Sequence, residues 1–226
     1  MSKRCVIIQG PTHDYERMRK AWSGFDIIYS TWEGEEEKGY TESDCVIYNK
    51  MPKEKGPGNI NLQIKSSLSG LKKAKEQGYD FCLKWRSDYI PKNANKFFDL
   101  FDEEKLNFIA WSEHRAFLSY FRARHGYLID YFFSGKTDWL IDIFKETKLL
   151  HENIPFAFPE YKITLATYKV KTDNKLKINY LLPKITSENE CFFIREGADY
   201  NSSTLNWKKE EYWNNITTRS NVWASI

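Results

Sequence analysis

The first half of this chain alternates short, β-branched apolar runs with longer stretches whose apolar residues recur every three or four positions. Continuous short runs suit strands buried on both faces, and the longer stretches suit helices with one core-facing stripe. Together they specify an α/β domain with a mainly parallel central sheet flanked by helices. Residues 4–9 (RCVIIQ) read as a buried strand and 14–22 as a helix. Residues 25–30 (FDIIYS) and 44–48 (DCVIY) read as the next two strands, separated by an acidic, glycine-containing loop from Glu33 to Gly39.

A break at Lys55-Gly-Pro-Gly58 precedes a stripe of Ile60, Ile64, Leu68, Leu71 and Ala74, which predicts a helix over 59–77 stopped by Gly78. Residues 81–85 (FCLKW) form a strand that runs straight into Arg86-Ser87-Asp88. A helix is expected over 93–101 and strands over 108–112 and 127–133. A further amphipathic helix is expected over 136–148, with Trp139, Leu140, Ile143 and Phe144 inward. Beyond about Leu150 the pattern turns irregular. Pro155 and Pro159 interrupt it, a Lys-rich stretch covers 171–177, and a last strand-like run lies at 191–195. With neither an internal repeat nor a clean linker, a single domain over 1–226 is the simplest organisation.

Composition narrows the partners. The net charge of +3 over 226 residues provides no long-range field for polyanions, which argues against nucleic acid. Cys5, Cys45, Cys82 and Cys191 are far apart and show no zinc-binding spacing, and three of them lie in apolar strand-like runs where a free thiol is a small hydrophobe, which fits a reducing compartment. The apolar run behind Met1-Ser-Lys-Arg4 is too short for a signal peptide, and no stretch approaches the ~20 apolar residues that span a bilayer. A soluble, cytoplasmic protein is expected, working free, at the cytosolic face of a membrane or in an infected host cell. The sequons at Asn201 and Asn215 are then matches of pattern only.

In open α/β sheets ligands bind outside the carboxyl ends of the strands. Here those ends carry Gln9-Gly10-Pro11-Thr12-His13, Ser30-Thr31-Trp32 and Arg86-Ser87-Asp88. Amides and hydroxyls there suit a nucleotide's base and ribose, with Trp32, Tyr89 and Trp111 near enough to stack; turn and cap roles are the plainer alternative. GxGxxG and Walker A loops are absent, so phosphates need another counter-charge. A divalent Mg²⁺ or Mn²⁺ held by a carboxylate supplies it, and Asp88 is the best-placed carboxylate. Lys84 and Arg86 add two cations for donor phosphates or sugar. The alternative makes Asp88 a turn residue before Pro91.

The series VIIQGP, STW, N-x-N-x-Q at Asn59, Asn61 and Gln63, GLKKAKEQGYD at residues 70–80, LKWRSD at 83–88 and DYFFSG at 130–135 resembles the WavE-type family of lipopolysaccharide-synthesis glycosyltransferases. Small glycosyltransferases of large algal viruses are similar. The likeness runs from about Val6 to Tyr161. It implies a GT-A fold, a Rossmann-like nucleotide-binding sheet whose DxD-type motif holds a divalent metal against the diphosphate of a nucleotide-sugar. In this chain the motif reads Arg86-Ser87-Asp88: the last acid, usually the metal ligand, is kept, and the first is replaced by arginine.

The resemblance further implies base recognition at Gln9, Gly10, Pro11, Thr12 and Thr31, with Asn61 and Gln63 lining the donor pocket. A solvated helix face is the alternative for Asn59 and Gln63. The nucleotide-binding half would occupy about 1–90 and the acceptor side about 91–226. An inverting transfer needs a carboxylate base for the acceptor hydroxyl. Glu160, after Pro159 at an expected helix start, is the first candidate, against ordinary helix-start chemistry. Asp130 is the second, against a buried salt bridge with Arg122 or Arg124. His114, His125 and the Arg-rich segment 115–124 read as a solvated loop more than an acceptor site. The expected activity is hexosyl transfer from a UDP-linked donor to a glycan or glycolipid acceptor; the alternative is a non-catalytic nucleotide-sugar or glycan-binding module.

Overall fold

The computed structural model describes residues 2–12, 14–36, 38–91, 94–99, 101–110, 128–153, 159–181 and 193–195. Its centre is a seven-stranded sheet built from β1 (Arg4–Gln9), β2 (Asp26–Trp32), β3 (Cys45–Asn49), β4 (Phe81–Arg86), β6 (Lys105–Ala110), β7 (Leu128–Lys136) and β8 (Lys177–Leu181). The spatial order is β3-β2-β1-β4-β7-β6-β8. Four neighbouring pairs are parallel, and β7 runs antiparallel to both β4 and β6. Outside it, β5 (Tyr89–Pro91) pairs antiparallel with β9 (Phe193–Arg195).

The central strands are buried on both faces, as their uninterrupted apolar runs require. Val6, Ile8, Leu83 and Trp85 pack on one side with Trp22, which caps α1 (Tyr15–Ala21), and with Phe98 of α3 (Ala94–Asp99). Cys5, Ile7 and Cys82 pack on the other with α2 (Ile60–Glu76), α4 (Thr137–Asn153) and α5 (Pro159–Asp173). Helix α1 starts where the Asp14 carboxylate accepts the Arg17 N–H at 3.0 Å. Cys5, Cys45 and Cys82 are free thiols; Cys191 lies outside the described residues.

Several expectations shift. Strand β2 continues through Thr31 and Trp32, β4 takes in Arg86, and β6 begins at Lys105 rather than Phe108. Lys136 closes β7 instead of opening a helix, and α4 continues to Asn153. The largest correction concerns the described residues after Leu150, which carry regular elements: α5 occupies Pro159–Asp173, and β8 forms the sheet edge beside β6. The Lys-rich stretch is the end of α5 and the start of that edge strand, where Lys side chains reach solvent. His114, residues 115–124, His125 and Trp111 lie outside the described residues, as do the side chains of Tyr89 and Asp130.

Two contacts set the layering. Gly70 lets α2 lie directly on β1, because a Cβ there would stand 2.4 Å from Ile7 Cγ2 and 3.4 Å from Ser30 Cβ. Between α4 and α5, buried Lys162 donates from Nζ to Nδ1 of His151 at 2.6 Å. Burial holds the Lys162 ammonium below its usual pKa, and burial together with the Lys162 charge does the same to His151.

Each contact has a measurable consequence. Gly70→Ala gains about 1 kcal/mol of helix propensity but overpacks a stiff Ile side chain by about 1–3 kcal/mol, so a net loss of stability is expected in urea denaturation. Unchanged or raised stability would show that α2 is not seated this closely. For His151 the unfolded chain binds the proton more readily than the folded one. The stability it contributes is therefore whole above the ordinary imidazole value of 6.5 and is lost as pH falls through the lowered folded value. The thermal midpoint should drop on going from about pH 7.5 to about pH 5.5, and His151→Gln should flatten that drop.

Candidate functional site

A cavity of about 240 Å³ opens where β1 and β4 end beside the start of α2. Gln9, Gly10, Pro11, Trp32, Gly58, Asn59, Leu62, Gln63, Arg86, Ser87 and Asp88 line it. Seven of these were singled out from the sequence as binding or metal-ligating residues. They come together because β1 and β4 are parallel neighbours in register, Gln9 opposite Arg86, so both chains turn out of the sheet at one level. The Ser87 N–H donates to the Gln9 carbonyl at 3.0 Å and continues the pairing into the turn. Gly10 has φ +114°, and a Cβ there would meet Ser87 Oγ at 2.8 Å, so glycine is required for this close approach.

The opposite wall is the amino end of α2. Gly58 and Asn59 both adopt left-handed conformations, φ 58° and 61°, and turn the chain from the loop into the helix. Gln63, one turn on, is 7% exposed, which sets aside the solvated-face reading for this residue. Asn61 is not part of the lining; its amide donates to the Glu54 carbonyl at 3.0 Å and its backbone N–H to the Lys55 carbonyl, tying down the preceding loop. Gln9 is 8% exposed, and its Oε1 has no hydrogen-bond partner among the described residues. A buried carbonyl oxygen without a donor is costly, and a ligand N–H or O–H would supply one.

Thr12 and Thr31 lie beside the cavity and are joined by a residue that motif reasoning passed over. Glu35 Oε2 accepts the Thr12 N–H at 2.6 Å and the Thr31 hydroxyl at 2.8 Å, and Thr12 Oγ1 also bonds Tyr40 OH. The acidic loop therefore folds back over the ends of β1 and β2. Burial pushes the Tyr40 phenol up to about 12, against hydrogen bonds from Thr12 and Thr31 that lower it. The sequence signal was an acid four residues beyond Thr31, hidden among the acids of residues 33–36.

Arg86 and Asp88 form a two-pronged ion pair: Nε to Oδ1 at 2.9 Å and Nη2 to Oδ2 at 2.7 Å. Ser87 and Asp88 occupy the turn between β4 and β5, so the turn role and the cavity position coincide. Lys84 is fully buried in the sheet, its Nζ 5.3 Å from the centre of the Phe133 ring, and is not in the lining. The expected Mn²⁺ or Mg²⁺ does not fit this donor set. Asp88 offers one carboxylate whose two oxygens both hold Arg86, and among the described residues no group of three or more His, Cys, Asp or Glu is placed to hold a metal.

Glu160 stands in the first turn of α5, half-buried, as the sequence predicts. Pro159 before it packs on Gly58, whose Cβ would come within 2.8 Å of the proline Cγ, so α5 begins against the cavity wall. Asp130 lies on β7.

The fold is that of nucleotide-sugar transferases. A glycosyltransferase involved in glycosylation of the major capsid of PBCV-1 superposes with a TM-score of 0.51 at 13% identity, over 95% of this chain and 99% of that one. A predicted nucleotide-diphospho-sugar transferase from Desulfovibrio desulfuricans G20 superposes with a TM-score of 0.50 at 11% identity, over 80% of each chain. No curated protein matches by sequence. Among the described residues no helix is long and apolar enough to cross a membrane. The family model described as WavE lipopolysaccharide synthesis matches residues 5–221, well past Tyr161, and with the transferase fold around a cavity lined by its motif residues the chain belongs to that family.

Proposed function

We propose that this protein is a cytoplasmic glycosyltransferase that moves a hexosyl group from a UDP-linked donor to a glycan or glycolipid acceptor with inversion. The observation that carries this reading is the convergence of Gln9, Gly10, Pro11, Gln63, Arg86, Ser87 and Asp88 on one cavity outside the carboxyl ends of β1 and β4. The donor occupies the half formed by residues 1–90, and the acceptor approaches from the remainder of the chain. Gln9 Oε1 takes a hydrogen bond from the base, ribose or sugar, and the Glu35 clamp holds Thr12 and Thr31 at the base end.

Glu160 acts as the general base; it is not among the residues lining the cavity, and what supports the reading is that it stands in the first turn of α5, which starts where Pro159 packs on Gly58. The acceptor oxygen bonds to the anomeric carbon as its proton passes to the Glu160 carboxylate. The bond from that carbon to the diphosphate oxygen breaks on the opposite face, and the diphosphate leaves with the electron pair. Asp130 is the second candidate for this task.

UDP is expected to bind the wild-type protein by calorimetry, and Gly10→Val, which fills the contact with Ser87, should abolish that binding. With a panel of UDP-sugars, Glu160→Gln should lower turnover by roughly 10²–10⁴-fold and leave donor affinity unchanged. Retained turnover would transfer the base role to Asp130. Donor binding with no turnover in wild type would leave a binding module, and failure of every nucleotide to bind would reject the reading.

A further inference from the structure

The motif that in the resembling family holds a metal here holds an arginine. We propose that the guanidinium of Arg86, oriented by Asp88, is the fixed positive charge for the donor's diphosphate, so that this site binds a diphosphate without a divalent cation. The inference rests on the nucleotide-sugar reading of the cavity and concerns what neutralises the phosphates there.

Three observations carry it. Both Asp88 oxygens are engaged by the planar fork of Arg86, at 2.9 and 2.7 Å, so the carboxylate already has the cation it would otherwise seek in a metal. Of the two side chains Asp88 is the deeper, 10% exposed against 28% for Arg86, so an incoming anion meets the guanidinium first. A guanidinium carries five N–H donors in a fixed plane, and the Asp88 pair uses Nε and Nη2 to hold that plane.

The rest of the lining carries no charge that would oppose an anion. Arg86 and Asp88 are the charged residues among those lining the cavity. Facing them is the amino end of α2, a helix of 17 residues with no acid in its first turn. Its dipole adds some positive potential at that wall, lessened where the Ile60 and Asn61 N–H groups already donate to the Pro57 and Lys55 carbonyls. Gln9 Oε1, buried and without a partner among the described residues, marks the same cavity as built to receive a ligand that also donates. A nucleoside diphosphate carries both anionic oxygens and N–H or O–H donors.

The two ways of neutralising the phosphates predict opposite behaviour of Asp88. If Asp88 is a metal ligand, removing its charge destroys the site. If it only orients Arg86, removing its charge leaves the guanidinium less compensated, and a diphosphate binds as well or better. The test is calorimetry of inorganic pyrophosphate with the full chain, in EDTA and in Mg²⁺, alongside electron paramagnetic resonance of Mn²⁺ added alone. Wild type is expected to bind pyrophosphate in EDTA and to leave the Mn²⁺ signal that of free ion. Asp88→Asn should keep or gain pyrophosphate affinity, and Arg86→Gln should lose roughly ten- to a hundredfold.

Pyrophosphate binding only with Mg²⁺, no binding in EDTA, protein-bound Mn²⁺ that disappears in Asp88→Asn, or loss of pyrophosphate affinity in a folded Asp88→Asn protein would each overturn the proposal. The wild-type and Asp88→Asn measurements decide it even if Arg86→Gln fails to fold. UDP titrated in the same EDTA buffer separates the two claims: pyrophosphate binding without UDP binding upholds the arginine and rejects the UDP donor.

Discussion

The close seating of α2 on the central strand β1, where Gly70 leaves room for Ile7, governs the geometry around the cavity. A helix held at that distance along its middle has little freedom at its amino end, so Gly58, Asn59, Leu62 and Gln63 are carried to the level at which β1 and β4 leave the sheet. Pro159 then packs on Gly58, and the start of α5 inherits its position from α2. One missing methyl group thus links the core to both walls of the site. The polar contacts beneath agree: Ser30 Oγ donates to the Ser66 carbonyl of α2, and Asn49 donates to Ser30 Oγ and to the Thr31 carbonyl across β2 and β3.

Around that frame, charge is used sparingly. The fully buried Lys84 and Lys162 lie outside the cavity lining, and the lining's own charges are joined in a single bidentate pair. A cavity so nearly neutral does not resemble the cluster of carboxylates that grips a hard divalent cation. Its polar features are a guanidinium held in one plane by Asp88, the amino end of α2 and one unmet acceptor at Gln9. Such a surface recognises shape and hydrogen-bond direction as much as charge.

Much of this was legible from residue order. The runs RCVIIQ, DCVIY and FCLKW appear as strands within one or two residues, and the Ile60-to-Ala74 stripe faces the core with Leu68 at its margin. The strands were marked by uninterrupted apolar runs and the helix by its three- and four-residue period, both of which are local signals. The rule that ligands sit beyond strand ends then located Gln9, Gly10, Ser87 and Asp88. Less was readable after Leu150. Helix α5 buries Ile163, Ala166 and Val170, but Lys162, Thr164 and Thr167 are buried with them and blur the stripe, and their burial is satisfied only in the fold, where Lys162 meets His151 and the Thr167 hydroxyl meets the Ile163 carbonyl. Glu35 escaped notice because nothing in a run of acids distinguishes the one whose carboxylate meets two threonines.

What the sequence determined by itself was the class of fold, the strands at its centre and the residues that stand at their ends, since each follows from local period and from turn chemistry acting over a few residues. Only the tertiary structure decided what those end residues do together. Arg86 and Asp88 are two positions apart in any conformation, but whether the acid keeps its oxygens for a metal or gives them to the arginine depends on the turn between β4 and β5 and on how deeply each side chain is buried. The same holds for Gln9, whose carbonyl oxygen becomes a binding feature only when the fold buries it without a donor at a cavity shared by β4 and the start of α2.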